Sequence, residues 1–193
     1  MKSNIIMLSY SKEGEMTPEL EAARVKAVEK LPLLISSDGI AASAEGRFRG
    51  AIFLRDAAIF GLLTLSKKQN GELEQIREGV RRTLYITAEH QGKSDVLNPV
   101  SLEYKNRMPH EIHGPNADQE RLACMRDQGA PVTEVDGHLE MVTHWALDVN
   151  ALWNCLFVQY IELTGDEKTK RDLWPAFIRS QRWLNGQGLL IKG

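Results

Sequence analysis

This 193-residue sequence has few cysteines, little net charge and no long apolar run, and each of these features excludes a class of protein. Cys124 and Cys155 are far apart, and neither lies in a CxxC pair or beside a metal-ligand spacing, so we expect a reducing, cytoplasmic compartment. Lys and Arg number 24 against 26 Asp and Glu, so we expect neither a nucleic-acid nor a membrane-surface partner. No run approaches the roughly 18 apolar residues of a membrane span, and the apolar stretch after Met1 is too brief for a signal peptide.

Motifs for nucleotide binding and covalent catalysis are also missing. The sequence has no GxSxG elbow, no P-loop and no GxGxxG, so we expect no cofactor. Histidines flank Glu111 in the segment Met108–His113, but the zincin motif needs its second His four positions after the first, and Gly114 stands there. We therefore expect no metal site.

Helical periodicity dominates what is present. Leu73, Ile76, Val80 and Leu84 recur at spacings of three and four with charged residues between them, which predicts an amphipathic helix. In all we predict five helices, over residues 17–34, 55–67, 73–91 and 145–163, and a last one that begins after Asp166 and is broken near Pro175.

The longest stretch without helical periodicity is 92–144. It contains scattered Gly, Pro, Asn and Asp, and such long excursions are often functional, so we interpret it as an active-site loop. No segment has a convincing strand alternation. The pattern predicts a single all-α domain over residues 1–193, built of antiparallel helical hairpins.

A first candidate site is Arg55-Asp56, where the Gly-flanked segment Gly46–Leu54 runs into a helix. Adjacent donor and acceptor side chains can bracket the vicinal hydroxyls of a sugar, and the helix dipole favours Asp56. The alternative is that Asp56 only caps the helix and pairs with a neighbouring arginine such as Arg49.

A second candidate is His110-Glu111, just after a proline in the long loop. An imidazole and a carboxylate can recognise hydroxyls or orient a water molecule. A solvated loop is the alternative.

A third candidate is Trp145 with Asp148. A pyranose ring can stack on an exposed Trp, and Asp148 follows within the same stretch. Trp153, Trp174 and Trp183 lie in predicted helices, where tryptophan is more often core, so we expect them to be buried.

Taken together, these segments resemble the glucosidase domain of glycogen-debranching enzymes and related amylo-α-1,6-glucosidases. The order and spacing of several short motifs carry the resemblance, which covers most of the chain from about residue 38. The matching motifs are Phe48–Asp56, Gln91-Gly92, Met108–Glu111, Ala146–Trp153, Thr164–Asp166 and Leu173–Pro175.

The resemblance implies an α/α toroid of six helical hairpins with the sugar pocket at one face. It implies an α-glucan or oligosaccharide substrate bound by Arg55, Asp56, His110, Glu111, Trp145 and Asp148. It also implies an inverting acid and base that are further along the chain than Asp148, so we expect the catalytic pair to be missing here and a second chain or further hairpins to complete the toroid. Two other functions remain open, a non-catalytic carbohydrate-binding module and a helical scaffold whose apolar helix docks a partner.

Overall fold

The computed structural model describes residues 33–65, 72–93 and 105–186, together with Pro18 and Ala22. Every element described below belongs to the compact unit that begins at Leu33. The predicted helix over residues 17–34 lies almost wholly outside the described residues, and a single domain over 1–193 stays a prediction.

The described part is mostly helical and also contains a small antiparallel sheet, so the all-α prediction is correct for most of the described residues and wrong for the rest. The helices are α1 (Leu54–Leu65), α2 (Glu72–Glu89), α3 (Gln119–Asp127), α4 (Val149–Thr164) and α5 (Glu167–Gly186). The strands are β1 (Ile52–Phe53), β2 (Glu111–His113), β3 (Val132–Val135) and β4 (His138–Thr143), and their order in the sheet is β1-β2-β4-β3.

The four longer helices form two hairpins, α1–α2 and α4–α5, packed side by side. The first helices of the two hairpins run in the same direction, because Arg55 contacts Asp148 at their beginnings while the Gln159 amide donates to the Leu62 carbonyl near their ends. The second helices, α2 and α5, also run in the same direction. Tyr85 donates a hydrogen bond to Asp172, and further along both helices Gln91 donates to the carbonyl of Ala176.

Side-chain chemistry explains these helices. The apolar stripe of α2 is buried at Ile76, Val80 and Leu84, as the periodicity predicts. Between α4 and α5, Gly165 takes a left-handed φ of 64° and Asp166 accepts a hydrogen bond from the Thr169 backbone amide, which confirms the predicted stop and start.

The predicted break at Pro175 is wrong, because α5 is continuous through this residue. A helical proline leaves the carbonyl four residues earlier without its hydrogen bond. Here both Pro175 and Arg171 are exposed, so water can satisfy the Arg171 carbonyl.

The prediction of a long irregular loop over 92–144 is also wrong for residues 105–144. This region contains three strands and α3, whose first turn is capped by Asp118. The helix packs its Leu122 against Val132 and Met141 of the sheet. Amphipathic periodicity is weak here because α3 buries only one short stretch of its surface. The rest of this small core comes from alternate residues of the strands.

Within the described residues, no helix combines the length and the apolar character needed to cross a membrane.

Candidate functional site

A salt bridge joins the beginnings of α1 and α4. Arg55 donates from Nε and Nη2 to the two carboxylate oxygens of Asp148, each at 2.7 Å. The hydrogen bond from Arg55 lowers the pKa of Asp148 below its usual range, and the same bond raises the pKa of Arg55. Asp148 occupies the N-cap position of α4, yet its side chain makes no capping bond. Both carboxylate oxygens are therefore used on Arg55, across the two helix ends, and not on the first turn of α4.

His110 lies next to this bridge, held by its backbone. Its carbonyl accepts from the Leu54 amide at 3.0 Å, and its own amide donates to the Thr143 carbonyl at 2.7 Å. Two residues earlier, the Met108 amide donates to the buried side chain of Asn150 in α4. These bonds tie the segment to the start of α1, to β4 and to α4 together.

The imidazole of His110 is buried on one side and covered by an exposed tryptophan on the other. His110 is only 5% exposed, whereas Trp145 is 55% exposed, and their ring centroids are 4.2 Å apart. Burial is the main cause of a pKa of His110 below its usual range, so the ring is neutral at pH 7. Its Nδ1 atom is buried and has no hydrogen-bond partner. A buried polar atom without a partner is costly, and a ligand group is one way to satisfy it.

Glu111 is a second carboxylate of the site, and its side chain is hydrogen-bonded to the buried imidazole of His113. Because side chains alternate along β2, Glu111 and His113 lie on the same face of the strand, and Oε1 of Glu111 is 2.5 Å from Nε2 of His113. Glu111 is paired in the sheet with Thr143, whose hydroxyl oxygen is also buried without a partner.

Asp56 is exposed in the first turn of α1 and makes no hydrogen bond or ion pair within the described residues. Its charge acts on the pKa of both Arg55 and His110, as does that of Asp148, whereas Glu111 acts on the pKa of His110. The structure thus brings all the residues predicted for the site to one end of α1 and α4. These residues are Arg55, Asp56, His110, Glu111, Trp145 and Asp148.

The charged side chains of the site are accessible, since those of Arg55 and Asp148 are 44% and 47% exposed. Clefts of 470 and 340 Å³ lie elsewhere on the described residues, and none of the six site residues lines either of them. Within the same residues, no group of three or more His, Cys, Asp or Glu side chains is arranged to hold a metal ion.

The other tryptophans follow the prediction in two cases out of three. Trp153 is fully buried and Trp183 nearly so, but Trp174 is 48% exposed on α5. Cys155, which its apolar neighbours suggest is core, is also exposed. Both residues lie on helix sides that no described element covers, which helical periodicity alone does not reveal.

Sequence reasoning did not name Phe53 or Thr143 as site residues, and it did not predict that His113 pairs with Glu111. Phe53 places its ring edge against His110 and His113 at centroid distances of 5.8 and 6.2 Å, and Thr143 lies opposite Glu111. The alternation in Glu111-Ile112-His113 is the one signal that could have indicated the carboxylate–imidazole pair.

Comparison of the chain with protein-family models, with curated proteins and with solved structures found no match.

Proposed function

We propose that this chain is a glycoside hydrolase-type domain that recognises α-linked glucosides, of the glycogen-debranching α-1,6-glucosidase kind, and that it lacks a complete catalytic pair. The observation that carries this proposal is the meeting of an exposed Trp145, the Arg55–Asp148 bridge and buried polar atoms without a partner at one end of two parallel helices.

Each part suits a sugar ring. The exposed face of Trp145 offers the apolar platform on which a pyranose stacks. Sugar hydroxyls both donate and accept hydrogen bonds, and Asp56, Asp148 and Arg55 supply acceptors and donors side by side. The bidentate bridge holds the guanidinium and one carboxylate in fixed orientations, so little side-chain entropy is lost on binding.

The exposure of Arg55, Trp145 and Asp148 supports the second half of the proposal, that the site is completed by further helical hairpins. The side-by-side hairpins α1–α2 and α4–α5 have the arrangement that an α/α toroid repeats. Ile59, Leu63 and Val158 are exposed on α1 and α4, and Leu147 is exposed beside the site. Such apolar residues favour cover from a further hairpin or a second chain, which would also supply the acid and base of an inverting reaction.

A non-catalytic module that binds carbohydrate would use the same site, and only an assay for hydrolysis separates it from an enzyme portion. A second candidate of another class is a helical scaffold protein. The exposed apolar residues of α1 and α4 favour it, because an amphipathic partner helix could pack against them.

The test is calorimetric titration of the 193-residue chain with malto-oligosaccharides, together with a glucose-release assay on the same sample. We expect binding without glucose release. Asp56→Asn and Asp148→Asn are each expected to weaken binding at least about tenfold, because each removes a charged acceptor from the site.

Glu134→Gln is the matched control, since Glu134 is an exposed carboxylate on β3, away from the six site residues. Unchanged affinity in both aspartate variants would contradict the assigned site. Robust turnover by this chain alone would contradict the missing catalytic pair, and a stable co-purifying partner without any saccharide binding would favour the scaffold.

A further inference from the structure

Trp145 is exposed at the site, yet the chain on either side of it is fixed. Its residue exposure is 55%. Before it in the chain, Nε2 of His144 is 2.8 Å from the carbonyl oxygen of His90, just after α2. After it, the carbonyl of Ala146 accepts a hydrogen bond at 3.3 Å from Nε of the buried Arg107. With its neighbours held in this way, the main freedom that remains to Trp145 is rotation of its own side chain.

A series of ring contacts supports that side chain from within the protein. The ring of Trp145 lies against the imidazole of His110, with the two centroids 4.2 Å apart. His110 in turn contacts Phe53 at 5.8 Å, and the ring of Phe48 is 5.2 Å from that of Phe53. The guanidinium of Arg121 in α3 is 4.9 Å from the centroid of Phe48. These contacts connect the exposed tryptophan with α3 through successive rings.

His110 is itself fixed, and it takes part in this series as a ring. Its carbonyl accepts from the Leu54 amide and its amide donates to the Thr143 carbonyl. The residue is 5% exposed, and within the described residues its ring contacts are with Phe53 and Trp145. Its Nδ1 atom has no hydrogen-bond partner, so no bond from Nδ1 competes with these contacts. Because paired aromatic rings prefer particular geometries, a fixed His110 restricts the orientations that are open to Trp145.

We propose that His110 is a positioning residue that holds the exposed ring of Trp145 in the orientation that receives the sugar, and that Phe53 supports the imidazole. This inference rests on the proposed function, because it takes Trp145 as the platform for a pyranose. The role of His110 is then exerted through Trp145 and not through contact with the ligand. A ring that is ordered before binding loses less conformational entropy when the sugar stacks on it, so the gain is in affinity.

The experiment compares the order of the Trp145 indole in three forms of the 193-residue chain, the wild type, His110→Ala and His110→Phe. Alanine removes the ring, whereas phenylalanine keeps a ring and removes both ring nitrogens. Nitrogen NMR relaxation of the indole Nε1–H group, assigned with Trp145→Phe, gives an order parameter without any ligand. We expect about 0.85 in the wild type and in His110→Phe, and below about 0.6 in His110→Ala. Trp174, which is 48% exposed and packs against Phe177, is the control in the same spectrum and should not change.

Affinity for maltotetraose is then measured by calorimetry on the same three proteins. We expect His110→Ala to bind about two- to tenfold more weakly than the wild type, and His110→Phe to bind within about twofold of it. Phe53→Leu should give a smaller loss, since Phe53 is one contact further from Trp145, and it tests the series without any change at residue 110. Urea denaturation of each variant establishes that it is folded and separates a general loss of stability from a loss of order at Trp145.

The outcomes separate the two proposals. A Trp145 that is mobile in the wild type, or equally ordered in folded His110→Ala, would overturn the positioning role and leave the sugar site standing. Weak binding by His110→Phe despite an ordered Trp145 would also overturn it, because the imidazole would then contact the ligand directly. Absence of maltotetraose binding by the wild type would overturn the proposed function, whatever the order parameters of the free protein.

Discussion

Two polar clusters at opposite ends of α4 differ in how completely their groups are paired. At the beginning of the helix, the site contains a free Asp56 and the unpartnered Nδ1 of His110. Toward its end, Tyr160 and Asp166 lie by a cluster in which Glu78 of α2 accepts hydrogen bonds from Arg81 and Arg82, all at 2.7 Å. From Asp148 to Tyr160 the helix rises about 18 Å, so the two clusters are separate.

The second cluster is built for stability. The hydrogen bond from Arg81 is the main cause that lowers the pKa of Glu78 to about 2, and burial beside Asp166 raises the pKa of Tyr160 to about 12. Asp166 accepts bonds from Thr169 and Tyr160. Apart from the buried Nε of Arg77, its groups are satisfied internally. The two clusters therefore differ in pairing, since the carboxylates beside Arg81 are hydrogen-bonded within the protein whereas Asp56 is not. This difference is the reason that we propose the first cluster, and not the second, as the binding site.

A larger side chain at Gly61, where α1 packs against α4, should have the largest effect on stability and ligand binding. A Cβ at Gly61 would lie 2.6 Å from Leu156 Cδ1 and 3.0 Å from Val80 Cγ2, so Gly61→Val forces the helices apart. We expect the free energy of unfolding to fall by about 2–3 kcal/mol, and sugar affinity to fall too, because the Arg55–Asp148 bridge spans these helices. Urea denaturation measures the first effect. Gly186→Val, which meets no atom within 4 Å, is the control, and equal stability of the two variants would contradict the close packing.

Loss of Glu78 should affect stability and leave ligand binding intact. Glu78→Ala removes the partner of two arginines, and we expect the free energy of unfolding to fall by about 1–2 kcal/mol, a figure discounted because the side chains are about one-third exposed. Glu74→Ala is the control, since Glu74 is 82% exposed and 3.9 Å from Arg77, and it should change stability by less than about 0.5 kcal/mol. A fall in sugar affinity in Glu78→Ala would contradict the separation of the two clusters.

The pH dependence of stability should carry the signature of the same carboxylate. The pKa of Glu78 in the folded state, about 2, is below its ordinary value of 4.5, so its ionised form is stabilised by folding. Its contribution is present above pH 4.5 and is lost as the pH falls toward 2. The difference in unfolding free energy between the wild type and Glu78→Gln, followed by urea denaturation, should therefore shrink by about 1 kcal/mol over that range. A constant difference would mean that Glu78 titrates normally.

The smallest expected effect is a gain in stability when the buried Asn154 of α4 is replaced. Both amide atoms of Asn154 are buried without a partner, although this residue is remote from the charged groups of the site. Asn154→Leu removes that unsatisfied group and should raise the free energy of unfolding by about 0.5–1 kcal/mol, measured by thermal and urea denaturation with no change in sugar affinity. A loss of stability would show that the amide is satisfied by internal water.

Sequence reasoning identified α1, α2, α4 and α5 to within a few residues at most ends. The apolar stripes of α2 and α5 reflect a side that must be buried, whereas α1 and α4 are apolar on most sides, which is typical of helices inside a bundle. It missed the sheet. The β3–β4 hairpin has a local signal in Asp136-Gly137, whose φ values of 48° and 81° suit a two-residue turn, but the strands beside it are short and their alternation is weak.

The sequence by itself determined the helices, their stops at residues such as Gly165, and the types of side chain from which a site could be made. Only the tertiary structure decided which of them meet. Arg55 and Asp148 are 93 positions apart, and no local pattern predicts that they form a salt bridge with each other. Burial likewise made His110 neutral and left its Nδ1 unpaired, because the packing of Trp145 and Phe53 around it depends on elements that are distant in sequence.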